Sequence, residues 1–177
     1  PPLHFGRPIP LYGTSLTLGR VDVQLREHRV QHLAELHPIE LGENYPIDDV
    51  IIEFFPVSHS VPSSTGIVFH TPLGAVIFTG DFKFDETPVQ GPSTDVARLR
   101  EIGKEGVLAL ISDCVSIEEP GKTPSERLVG DALEAMFGTA MGRLMRTSFA
   151  SIIRRHLVAA SIAITLVRPA AGTSRRR

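Results

Sequence analysis

The sequence predicts an α/β fold of layered sheet and helix, and three stretches carry that prediction. A short apolar strand runs straight into a helix between Arg7 and Val30. Three β-branched and aromatic runs follow one another between Val50 and Asp81, and a fully apolar run ending at Asp113 is followed by a helix start at Thr123. A strand that feeds a helix implies sheet and helix packed as layers around one core.

Arg7-Pro-Ile-Pro-Leu-Tyr-Gly13 is apolar and flanked by proline, which strand starts and edges tolerate. Thr14 or Ser15 can cap the helix that follows, where Leu18, Val21 and Leu25 recur at helical spacing. Residues 39–47 carry turn residues. Val50-Ile-Ile-Glu-Phe-Phe-Pro-Val57 has the side chains of a sheet strand, and Leu73-Gly74 sits between two further apolar runs as a hairpin turn would. After Asp85 a loop with two prolines leads to a polar helix from about Thr94 to Gly103. Gly106-Val-Leu-Ala-Leu-Ile-Ser-Asp113 reads as a buried strand whose carboxyl end faces a cleft. Thr123-Pro-Ser-Glu126 then opens a helix to about Met136, with Thr123 as cap and Glu126 three residues on. Beyond Arg143, Leu144 to Phe149 reads as a further strand, Ile152 to Leu166 as an apolar helix or strand, and the last residues as a loose Gly, Ser and Arg tail.

The 177 residues are 42% hydrophobic and 21% charged with a formal charge of −2, so no global basic balance marks a nucleic-acid binder, although a local basic groove is compatible with it. Cys114 is the single cysteine, which excludes an internal disulfide and a C-x-x-C knuckle and fits a reducing compartment. The opening Pro-Pro-Leu-His has no basic or apolar leader and is not that of a secretory precursor. The longest late apolar run, Leu157 to Val167, has eleven residues, short of the roughly 20 that span a bilayer. No membrane segment is expected.

Two side chains stand out as ligand candidates. His59 closes an apolar strand inside a Ser- and Pro-rich loop, and Asp81 ends another in Thr79-Gly-Asp81. Imidazole and carboxylate delivered at strand ends suit zinc and related cations. On spacing alone each has an ordinary alternative, His59 as a loop residue and Asp81 as a turn or cap residue. Asp113 is a further candidate whose plain reading is also a cap or turn. His4, His28, His32 and His37 read as solvated, His70 as structural or exposed, and Lys83 and Asp85 by themselves as surface charges; His156 falls in the tail.

Residues 57–126 resemble the metallo-β-lactamase fold hydrolases of the β-CASP group, most closely the ribonuclease J family. The resemblance runs through His59-Ser-Val-Pro-Ser-Ser64, Gly66-Ile-Val-Phe-His-Thr-Pro-Leu-Gly74, Thr79-Gly-Asp-Phe-Lys-Phe-Asp-Glu-Thr-Pro88, Glu101-Ile-Gly-Lys-Glu-Gly-Val-Leu108, Leu110-Ile-Ser-Asp113 and Thr123-Pro-Ser-Glu126. It implies a partial αββα sandwich over residues 1–112, the start of a β-CASP domain over 113–151, and a divergent tail over 152–177. It places a metal-binding histidine at His59, a metal-bridging aspartate at Asp81, and at Asp113 the acidic residue that begins the β-CASP region and supports the site. Ser63 and Ser64 lie where the loop approaches substrate. The implied chemistry is hydrolysis of single-stranded RNA with two divalent ions, zinc first and magnesium or manganese as alternatives. The resemblance further implies a cytoplasmic, homo-oligomeric parent.

The departures from the family pattern lower the expectation for the chain itself. The H-x-H-x-D-H signature, which supplies most ligands of both metals, is absent, and by the resemblance it belongs upstream of Pro1. Cys114-Val115-Ser116 replaces the usual Ser-Thr-Asn, and after Thr147-Ser-Phe-Ala-Ser151 the pattern is lost at Ile152. The chain is therefore expected to be an internal, truncated or frame-shifted piece of a ribonuclease, inactive alone. Two other classes remain: a hydrolase of another substrate on the same fold, and a non-catalytic fragment that binds RNA or a partner.

Overall fold

A computed structural model describes residues 7–115 and 117–139. The readings for His4, His156 and everything beyond Thr139 lie outside these residues. The first unit is β1 (Ile9–Gly13), α1 (Ser15–Glu27) and β2 (Ala34–Pro38), with a 3₁₀ turn at Gln31–Leu33. β1 and β2 pair in parallel, a pairing that needs a crossover, and α1 supplies it. Thr14 caps α1 in extended geometry and its side chain accepts from Thr17 N–H, as the sequence predicts.

The second sheet runs in the order β3 (Asn44–Ile47), β4 (Val50–Pro56), β5 (Thr65–Thr71), β6 (Gly74–Phe78) and β7 (Val107–Ile111). β3 to β6 form an antiparallel meander, whereas β7 returns parallel to β6 after α2 (Val96–Glu105). Cross-strand register puts Glu53, Phe55, Gly66, Val68, His70, Ala75 and Ile77 on one face. That face is covered by Ile102 and Leu99 of α2, and with Val57 it forms the core. Gly66 is required beneath the Phe55 ring, since a Cβ there would lie 2.1 Å from Phe55 Cζ. On the opposite face Phe54 meets Tyr45 edge-on at 5.7 Å, and Tyr45 reaches Tyr12 at 6.1 Å. Tyr12 in turn stacks on His37 of β2 at 4.9 Å. Aromatic contacts thus link the large sheet to the small one, with α1 packed against the latter through Leu18 over Gly13.

Four expectations need correction. β2 and β3 occupy stretches not read as strands. The 107–111 run is a strand, but not a buried one: Leu108 and Leu110 are 56% and 60% exposed, because β7 ends the sheet and among the described residues nothing covers it. The third helix, α3 (Glu126–Thr139), begins three residues after Thr123, and Ser125 acts as its cap, its Oγ accepting from Arg127 N–H at 3.2 Å. Finally, Lys83 and Asp85 are not surface charges; their side chains are 11% and 1% exposed in an ion cluster with Glu126.

Candidate functional site

The loop between β4 and β5 carries His59, and local hydrogen bonds give it a fixed shape. Val57 N–H donates to Ser64 O at 3.1 Å, closing the loop at its base. Ser64 Oγ donates to Val61 O at 2.9 Å, and Thr14 Oγ1 donates to Ser63 O at 3.3 Å. Ser63 adopts φ 57°, a left-handed conformation uncommon outside glycine, in this turn. Ser63 and Ser64 line a cavity of about 260 Å³ with Thr14, Ile39 and Pro92, and neither His59 nor Asp81 is among its walls.

Asp81 follows β6 at a turn made by Gly80, whose φ is +60° and whose missing Cβ would stand 3.0 Å from Thr65 O. The two loops are stitched together by backbone. Ser58 and Lys83 form an isolated antiparallel bridge in which Lys83 N–H donates to Ser58 O at 2.8 Å. The Thr94 hydroxyl closes that bridge: it accepts from Ser58 N–H at 2.9 Å and donates to Lys83 O at 2.8 Å. Their neighbours His59 and Asp81 consequently face each other, with Nε2 and Oδ2 3.7 Å apart.

That separation is too long for a hydrogen bond. It is close to the roughly 3.4 Å expected of two donors held tetrahedrally at about 2.1 Å from one cation. His59 is 28% exposed and Asp81 78% exposed, so the pair opens to solvent. The donor types and spacing therefore fit part of a divalent ion's shell. They do not complete it: among the described residues no group of three or more His, Cys, Asp or Glu side chains is placed to hold a metal.

Asp113 enters the neighbourhood by its backbone rather than its carboxylate. Its N–H donates to Thr79 Oγ1 at 3.1 Å, two residues before Asp81, while Asp113 Oδ1 accepts from Val115 N–H at 2.9 Å in a local Asx turn. The structure thus brings His59 and Asp81 together, ties Asp113 to the end of β6, and uses Ser63 and Ser64 to shape the loop.

Two ion clusters escaped the sequence reading, because both join residues more than 40 positions apart. In the first, Glu53 on β4 receives a two-pronged contact from Arg98 of α2, Nε to Oε1 at 2.7 Å and Nη2 to Oε2 at 2.9 Å, and His70 Nε2 lies 2.7 Å from Oε2. The Arg98 hydrogen bonds hold the Glu53 carboxyl below its ordinary value against the opposing effect of burial, with His70 assisting; Glu53 raises the Arg98 guanidinium in return. In the second, burial pushes Asp85 up, yet its pKa is lowered overall. Hydrogen bonds from Glu126 N–H, the Ser125 hydroxyl and Thr87 N–H, together with the Lys83 charge, outweigh the burial. Lys83 and Asp85 lie inside the Thr79 to Pro88 block and Glu126 ends the Thr123 to Glu126 block, and that placement is the one signal the sequence carries for the second cluster.

No family model matches the chain. Among curated proteins, it is 39% identical over 163 residues to a ribonuclease J of Thermus thermophilus, covering 87% of this chain and 28% of that protein. It is 37% identical over 147 residues to ribonuclease J2 of Bacillus subtilis, covering 83% of this chain and 26% of that protein, and 37% identical over 148 residues to a ribonuclease J of Helicobacter pylori. The chain spans about a quarter of the length of the relatives it matches. A crystal structure of an Enterococcus faecalis V583 protein of unknown function superimposes with a TM-score of 0.64 at 16% identity, over 86% of this chain and 39% of that one. That likeness concerns the fold.

Proposed function

Since the chain is related to ribonuclease J along most of its length, we propose that it carries one part of a metal-dependent site that hydrolyses phosphodiester bonds of RNA. The observation that carries this reading is the 3.7 Å approach of His59 to Asp81, fixed by the Ser58–Lys83 bridge. The order of layers supports it as well: α2, the large sheet, the aromatic contacts, the small sheet and α1 follow one another as in part of an αββα sandwich. In this reading residues 1–112 belong to the metallo-β-lactamase-like domain and 113–151 begin the β-CASP domain.

His59 Nε2 and the Asp81 carboxylate would hold a divalent ion, zinc first, with the second ion of a two-metal site requiring ligands from outside the described residues. Divalent ions supply Lewis-acid stabilisation of charge developing on phosphate oxygens. Asp81 contributes a negative charge and two oxygens, which suits it to a position between two cations, and its exposure leaves room for a polyanion to approach. His59 is held at the loop base, so its ring has a fixed origin. Asp113 supports the end of β6 through Thr79, and Ser63 and Ser64, which shape the loop carrying His59, would contact the RNA. The described residues supply two donors, so the chain by itself does not cleave RNA. A homo-oligomeric, cytoplasmic parent completes the proposal.

The test is a graft. Residues 7–139 replace the matching stretch of the Thermus thermophilus ribonuclease J, and cleavage of a labelled single-stranded RNA is followed. Cleavage should persist in the graft and fall with His59→Ala or Asp81→Asn by more than the about 10–100-fold typical of losing an outer partner of a ligand. A folded graft whose cleavage is indifferent to both substitutions would sink the proposal.

A further inference from the structure

Among the described residues, the Asp81 carboxylate has no hydrogen bond and no ion pair besides the 3.7 Å approach to His59, so its place depends on the backbone on either side. Before it, Thr79 N–H is tied to Ile111 O at 3.0 Å. After it comes Lys83, which works at both ends. Its backbone makes the bridge to Ser58, beside His59. Its ammonium lies 3.0 Å from Glu126 Oε1 and 3.5 Å from Asp85 Oδ2, and donates to Pro124 O at 3.3 Å. Asp85 completes the connection, with Oδ2 accepting from Glu126 N–H at 3.0 Å and Oδ1 from Thr87 N–H at 3.1 Å. The side chains of Lys83, Asp85 and Glu126 are 11%, 1% and 6% exposed.

Stability alone is a poor reason for such a cluster, since desolvating three charges offsets much of their attraction and apolar replacements are often as stable. The best-attested use of a buried ionic cluster is to fix register. In the structure the Lys83 ammonium reaches both carboxylates and the Pro124 carbonyl while its backbone meets Ser58, so one residue joins the two sets of contacts. We propose that Lys83, Asp85 and Glu126 are positioning residues: they clamp the start of α3 to the turn after Asp81 and thereby hold Asp81 facing His59. The functional weight of this clamp rests on His59 and Asp81 being cation ligands, whereas the clamp itself is a matter of geometry.

The two statements are separable by NMR on the whole chain. The nuclear Overhauser contact between the His59 ring and the Asp81 β-protons needs no metal and reads the clamp. It should be present in the wild type and lost in Lys83→Met and in Glu126→Ala. The second variant keeps the backbone donor to Asp85, and decides the matter where Lys83→Met does not fold. Retention of the contact in folded Glu126→Ala overturns the clamp. Mn²⁺ broadening of the His59 ring signal reads the ligand assignment: it should vanish in the Asp81→Ala variant and require about 10-fold more Mn²⁺ in Glu126→Ala. Broadening that is indifferent to Asp81→Ala refutes the ligand reading while leaving the Overhauser result to judge the clamp.

Discussion

Replacing Arg98 by methionine removes the only guanidinium facing Glu53 among the described residues while keeping most of the side-chain volume. Glu53 is 7% exposed and would keep only His70, with no bidentate partner. Breaking a buried pair by deleting one member costs about 3–5 kcal/mol. Arg98 is itself 31% exposed and His70 remains, which places this case near the lower end, at roughly 3 kcal/mol. With an m-value of about 2 kcal/mol/M, the urea midpoint should fall by about 1.5 M at pH 7. The sign with pH follows from the carboxyl. In the wild type its folded pKa lies below the ordinary 4.5, so its contribution is complete above that value and is lost as pH falls through the folded value. In the variant, burial without the guanidinium disfavours the charged form, so protonation relieves the damage. The wild-type advantage should therefore be largest near neutrality and shrink below about pH 4.5. A midpoint change below about 0.3 M, or an advantage that grows on acidification, would refute the assignment of Glu53 as a buried anion held by Arg98.

Gly66→Ala should destabilise the chain by about 1–3 kcal/mol in the same titration, because the new methyl overlaps the ring of Phe55, itself only 2% exposed; an unchanged midpoint would mean the ring moves aside freely. The uncovered β7 edge should make the chain associate, and Leu108→Lys with Leu110→Lys should lower its sedimentation-average mass at high concentration; equal masses would show the edge is protected. The isolated chain should give no metal-dependent cleavage of single-stranded RNA in a gel assay. Cleavage lost on His59→Ala would show that the two donors suffice.

The strands β4, β5 and β6 were legible because β-branched and aromatic residues alternate between polar turns, and α1 because Thr14 precedes apolar residues at helical spacing. β3 was hidden by Asn44 and Pro46, which a partner strand tolerates only because β3 lies at the sheet edge. β2 alternates Glu35 and His37 with leucine too briefly to declare itself. The apolar 107–111 run announced a strand but not its exposure, since burial depends on what lies over it. His59 and Asp81 were visible as residue types at strand ends, but what brings them together is the contact of Ser58 with Lys83 through Thr94, which no local pattern encodes. Lys83 and Asp85 misled for the same reason: a charge pair in a polar run looks solvated until Glu126 arrives from 41 residues away.

The most direct measurement is anomalous diffraction at the zinc edge from crystals of the chain soaked in zinc. One zinc peak is expected about 2.0–2.2 Å from both His59 Nε2 and an Asp81 oxygen, absent from Asp81→Ala crystals. Zinc bound elsewhere with the His59–Asp81 pair bare would contradict it.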